Sequence, residues 1–190
     1  MGHMDSFAVL LRAVNVGPGL RVTSADLIGA ADDAGLGAAR TLLNSGNLVV
    51  TPGTSGASTS ADVARLVERC LTERLGQDVA VVALSAEQLE AIARANPFAA
   101  AARDHPAQLQ VHVPFGDLDE AGIARLDLAN AGREMLATGA GVLYVHYVDG
   151  IGRSKLTSKV IDKAAGAPTT ARNWNTITKL RTACAGLASE

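Results

Sequence analysis

Apolar runs of strand length alternate in this chain with longer stretches whose apolar residues fall three and four apart, in the order strand-helix-strand-strand-helix-strand, twice over. That order restricts the fold more than any other feature, because every strand and helix has an apolar side that must find a partner layer. In the first half, residues 7–12 read as a strand, and Thr23 with Asp26 reads as a capping box opening a helix towards Ala34 and Gly35. Residues 40–44 and 48–51 flank Ser45, Gly46 and Asn47, which suit a tight hairpin. A helix from Ser60 spaces Val63, Leu66, Val67, Cys70, Leu71 and Leu75 along one side and stops at Gly76. Residues 79–84 form the last strand of this half, and Ser85 with Gln88 opens a short helix that Asn96-Pro97 ends.

The second half repeats the order. Residues 108–113 read as a strand, 119–131 as a helix closed by Gly132, and 133–137 with 142–148 as a hairpin across Thr138, Gly139, Ala140 and Gly141. Residues 154–165 read as a helix closed by Gly166, 169–172 as a short strand, and Asn173 as the cap of a last helix carrying Trp174, Ile177, Leu180, Cys184 and Leu187. Each half is a split βαβ arrangement, a four-stranded antiparallel sheet with two helices on one face. The expected fold is therefore α+β, with two ferredoxin-like βαββαβ units each followed by an extra helix. The expected partition is an expression remnant at 1–4, an N-terminal unit at 5–97, a linker at 98–107 and a C-terminal unit at 108–190.

A chain of 190 residues that is 48% hydrophobic has enough material for two small cores. Only 3% is aromatic, so those cores must be filled by Ala, Val, Leu and Ile. A net charge of −2 argues against a nucleic-acid coat that binds without regard to sequence. No apolar run approaches the roughly 20 residues of a membrane helix, and no secretory leader opens the chain. A cytoplasmic protein with no membrane partner is expected. Cys70 and Cys184 fall at apolar helix positions and read as buried thiols.

Charge is unevenly distributed. From Gly150 to Arg181 stand seven basic residues (Arg153, Lys155, Lys159, Lys163, Arg172, Lys179, Arg181) against Asp162, while the rest holds ten basic residues against eighteen acids. Gly150-Ile151-Gly152-Arg153-Ser154-Lys155 is a glycine-bearing loop running into an expected helix, where unpaired N–H groups favour an anion and Arg153 or Lys155 could neutralise it. It is not a Walker loop, and the plainer alternative is that Ser154 only caps while Lys155 is solvated. At the next helix start, Arg172 could grip a phosphate or carboxylate, with Asn173, Asn175 and Thr176 orienting it and Lys179 one turn further on. The alternative is again structural: Asn173 caps, Trp174 fills the core and Arg172 pairs with an acid. In the first half Arg12, Asn15 and Gly17 follow the first strand, but the third glycine of a dinucleotide fingerprint is missing.

Other chemistry finds little support. His105, His112 and His146 lack metal-like spacing, and no nucleophile-base set can be read. Neither a metal nor a cofactor is expected. Tyr144 and His146 alternate onto one strand face as RNA-stacking residues would, yet residues 48–51 of the other unit offer no ring, and core or interdomain packing is the favoured reading of the pair.

Five segments, LLRAVNVGPG at 10–19, RTLLNSGNLVV at 40–50, NPF at 96–98, GIGRSKLT at 150–157 and TARNWNTITKL at 170–180, resemble the bacterial family called domain of unknown function 1697. The resemblance implies an α+β protein with ferredoxin-like halves and implies no activity. Pro18 and Leu20 stand where the family pattern has a Gly and a Lys, and Leu42 and Asn44 where it has a Tyr and a Gln. The functional expectation is a protein that binds a small phosphate-bearing anion, such as a nucleotide or phosphorylated metabolite, near Ser154 and Arg172. The alternatives are an RNA or single-stranded-DNA binder, an enzyme on a phosphorylated or acyl substrate, and a protein-interaction module.

Overall fold

The computed structural model describes residues 5–15, 19–42, 46–130 and 132–187; the expected remnant at 1–4 and the loop residues Gly17 and Ser45 lie outside these. The chain divides into two compact units, Met1–Leu89 with Lys179–Glu190, and Glu90–Thr178. The first contains β1 (Phe7–Leu11), α1 (Ser24–Asp33), β2 (Ala39–Thr41), β3 (Asn47–Val50), α2 (Ser60–Leu75) and β4 (Val81–Ser85). Its sheet order is β2-β3-β1-β4, antiparallel throughout.

Local chemistry starts and stops these helices where the sequence says. The Thr23 hydroxyl accepts from the Asp26 amide at 3.1 Å while the Asp26 carboxylate accepts from the Thr23 amide at 2.8 Å. Thr59 and Asp62 form the same reciprocal cap on α2, and Gly76 closes that helix at φ 64°, a left-handed conformation that costs a glycine nothing. Phe7, Val9 and Leu11 share a sheet face with Leu48, Val50 and Ala83, and pack on Leu27, Val63, Val67 and Leu71 of the two helices. Burying each large aliphatic side chain contributes about 1.5–3 kcal/mol, so this aliphatic layer replaces the missing rings.

α3 (Ala86–Ala95) begins in the first unit and ends in the second. The second unit continues with α4 (Ala99–Asp104), β5 (Leu109–Pro114), α5 (Glu120–Ala129), β6 (Met135–Gly139), β7 (Val142–His146), a 3₁₀ turn (Ile151–Arg153), α6 (Ser158–Ala165), β8 (Thr169–Asn173) and the start of α7 (Trp174–Leu187). The sheet order, β6-β7-β5-β8, repeats that of the first unit strand for strand. The architecture is thus α+β with two ferredoxin-like units. The segment expected as a linker holds α4.

Register assigns the two faces of the second sheet. Val111 lies opposite Tyr144 and Arg172, and His112 opposite Leu143 and Ala171. Leu143 and Val145 pack with Ile123 of α5 and Ile161 and Ala165 of α6. The alternate face carries Val111, Tyr144 and Arg172, and the Tyr144 hydroxyl donates to the Ile92 carbonyl of α3 at 2.7 Å. Tyr144 is fully buried and cannot stack on a base, whereas His146 is partly exposed and tilted against Phe98 with ring centres 6.2 Å apart.

The sequence reading placed one helix start wrongly. α6 opens at Ser158 rather than Ser154, with Thr157 as its cap. Residues 154–156 form a bend, with the Thr157 amide donating to the Lys155 carbonyl at 2.9 Å, that delivers Leu156 to the core layer with Ile123 and Ile161. The turn between β6 and β7 is also tighter than expected. Only Ala140 and Gly141 lie between the strands, both at positive φ, as a twist-matched two-residue hairpin requires.

Candidate functional site

Between the end of α5, the open end of the β6–β7 hairpin and the segment leading into α6 lies a cavity of about 560 Å³. Leu126, Ala129, Leu156 and Val160 form its apolar walls, and Arg133, Glu134, Asp149, Arg153 and Lys155 its charged lining. The sequence names Arg153 and Lys155. It misses Arg133, Glu134 and Asp149, which stand just beyond the paired ends of β6 and β7 and become neighbours only once the hairpin register is known.

The acids of this cavity are already engaged. Arg133 Nη1 donates to Asp149 Oδ1 at 2.7 Å. The Ser154 hydroxyl bonds Glu134, and this contact, with the Glu134 backbone amide and Asn130, holds the carboxyl below its usual range and hence ionised. The Asn130 side chain is spent on the Glu134 carbonyl at 3.1 Å and the Gly132 amide at 3.1 Å. Arg153 and Lys155 are exposed, and neither makes an ion pair or side-chain hydrogen bond with any described residue.

Ser154 has a different job from the one expected. Its Oγ accepts from the Leu156 amide at 3.0 Å and donates to Glu134, which shapes the turn between the 3₁₀ segment and Thr157. The anion-favouring loop therefore does not run directly into a helix N-terminus.

Arg172 stands elsewhere in the same unit. It is 8% exposed, and its guanidinium donates to Thr170 Oγ1 and to the Ala171 carbonyl, both at 2.9 Å. Burial pushes it down to about 10. Its register partners Val111 and Tyr144 put it on the sheet face opposite the one that packs on α5 and α6, so it takes no part in lining the cavity. Asn173 is the cap anticipated: its Oδ1 accepts from the Thr176 amide and hydroxyl, both at 2.9 Å. Thr176 is buried and committed to that cap, Asn175 is exposed and Trp174 is half-buried.

The remaining sequence candidates belong to the first unit. Asn15, at φ 58°, donates to the Val22 carbonyl and accepts from the Val22 amide, each at 3.0 Å, as a strand neighbour would. This amide closes the loop and borders a cavity of about 400 Å³ with Arg21, Thr23 and Ser24. Arg12 is half-buried, and Lys179 is exposed on the part of α7 assigned to this unit. Among the described residues, no three His, Cys, Asp or Glu side chains gather as metal ligands would.

A family model described as "Protein of unknown function (DUF1697)" matches residues 4–144. The chain belongs to that family. Members of DUF1697 are grouped by sequence and not by a reaction, and the matched stretch ends before Arg153 and Lys155. Among solved structures, the conserved bacterial protein SP0830 from Streptococcus pneumoniae superposes with a TM-score of 0.74 at 23% identity, covering 95% of this chain and 99% of that one. That likeness concerns the fold. No curated protein matches the chain.

Proposed function

We propose that this DUF1697 protein binds a small phosphate-bearing anion in the second unit, at the cavity whose rim carries Arg153 and Lys155. One observation carries the reading: two exposed cations, neither in an ion pair with any described residue, border a cavity of about 560 Å³ where Arg133 is paired with Asp149 and the Glu134 carboxylate is held by Ser154, so the charged lining sums to one net positive charge. That volume falls within the range of small-molecule sites. An anion entering there meets two cations that are in no ion pair, and it displaces no existing salt bridge. Arg153 supplies a planar fork of donors and Lys155 a mobile point charge.

The reading is tested by thermal unfolding in the presence of inorganic phosphate, a sugar phosphate and a nucleoside monophosphate at constant ionic strength. A ligand at 100 times its dissociation constant is expected to add about 2.7 kcal/mol of stability, and the Arg153→Ala, Lys155→Ala double variant to lose the effect. If no anion raises the transition, or if the double variant keeps the full shift, the reading fails.

A second reading draws on α6, where Lys159 and Lys163 are also exposed, one helical turn apart. With Arg153 and Lys155 they would suit a single-stranded nucleic acid. Affinity that falls steeply with salt and tolerates changes of base would favour that occupant.

A further inference from the structure

We propose that the occupant of this cavity is an amphiphile, an aliphatic chain ending in a phosphate, and not a nucleotide or sugar phosphate. The inference rests on the anion reading above and narrows it. A nucleoside or sugar presents rings and several hydrogen-bonding groups that a site must stack upon or satisfy. Among the described residues the lining contains no aromatic side chain, so none of them offers a ring to stack on.

Several of its polar side chains are already bonded within the protein. Asn130 serves Gly132 and the Glu134 carbonyl, Glu134 takes Ser154, and Arg133 takes Asp149. The groups left without any bond are the two cations, Arg153 and Lys155, and the aliphatic wall. The wall is incompletely covered: Val160 is 38% exposed on the first turns of α6, between Lys159 and Asp162, where a solvent-facing helix position would ordinarily be polar. A chain laid against Val160 and Leu156 would remove that surface from water while its head group meets Arg153 and Lys155.

Calorimetric titration compares inorganic phosphate, adenosine monophosphate, butyl phosphate and octyl phosphate, the last kept below its micelle-forming concentration so that binding reports the monomer. Affinity is expected to rise along the alkyl series, with octyl phosphate at least tenfold tighter than inorganic phosphate, equivalent to about 1.4 kcal/mol. Adenosine monophosphate is expected to gain nothing over phosphate. Val160→Asn should shrink the octyl-to-phosphate ratio, with thermal unfolding of the variant showing that it is folded. Equal binding of phosphate and octyl phosphate, both abolished by the Arg153→Ala, Lys155→Ala variant, would overturn the amphiphile and leave the anion site standing. Adenosine monophosphate binding more tightly than octyl phosphate would do the same. Octyl phosphate binding untouched by the double variant would overturn the proposal by removing its head-group contact, and binding of none of the four would remove both readings.

Discussion

His112 is an imidazole sealed beneath α6. It is 5% exposed; its Nδ1 lies 3.4 Å from Thr169 Oγ1, and its Nε2 has no hydrogen-bond partner. The Thr169 hydroxyl and amide both donate to Asp162 Oδ1, at 2.9 and 2.8 Å. Desolvation pushes the imidazole down to about 4, against the weaker opposing pull of Asp162. The unfolded chain takes up this proton near 6.5 and the folded one near 4, so between those values the unfolded state binds more protons. Stability is therefore unaffected by this group above about pH 6.5, falls as pH drops, and levels off below about 4. Urea unfolding at pH 7.5 and at pH 4 is expected to show a loss of roughly 3 kcal/mol that is absent from His112→Leu. Equal acid sensitivity in both proteins would mean that the imidazole is not held neutral.

Two adjacent hydroxyls, Ser154 and Thr157, compete at the scale of the element to start α6, and sequence preference alone hardly separates them. Packing separates them. Because Leu156 is 9% exposed and joins the core with Ile161 and Ala165, the chain bends at Lys155 and turns helical only after Thr157, whose hydroxyl accepts from the Val160 amide. Thr157→Ala is expected to cost about 1 kcal/mol of unfolding free energy in urea, the usual loss of a helix cap. A change below about 0.3 kcal/mol would mean that α6 starts elsewhere. The β6–β7 hairpin offers a gain in place of a loss. Ala140 sits at φ 50°, where a side chain with a Cβ is strained and Asn is tolerated much better, and Gly141 follows at φ 73°. Ala140→Asn is expected to raise stability by about 0.5 kcal/mol with the fold unchanged. A fall in the thermal midpoint would contradict the turn geometry.

For the whole molecule, the decisive element is α7. Asn173 caps it in the second unit, yet from Lys179 onward it belongs to the first, where Ser6 Oγ donates to the Cys184 carbonyl at 3.0 Å. Leu180, Cys184 and Leu187 are almost wholly buried. A fragment of residues 5–97, the unit as read from sequence, lacks these side chains. It is expected to show no cooperative unfolding and little hydrogen-exchange protection in β1, while the full chain protects those amides strongly. A fragment as well protected as the full chain would show that the last helix does not stabilise that unit.

Apart from α4, the strand and helix order was legible in the chain, as were the caps Thr23 and Asn173 and the closing residues Gly76 and Gly166, because period and capping are local properties. So was the ferredoxin-like pairing, since the order βαββαβ leaves few ways to cover four strands with two helices. Tertiary structure alone decided which cations share a place: Arg153 and Lys155 meet at one cavity, while Arg172 leaves by the opposite sheet face. It also decided that Arg133, Glu134 and Asp149 join them and that Leu156 delays α6. The physical reason is range. Helix starts and strand periods are settled within four residues of the chain, whereas a pocket depends on register and burial between segments far apart in sequence.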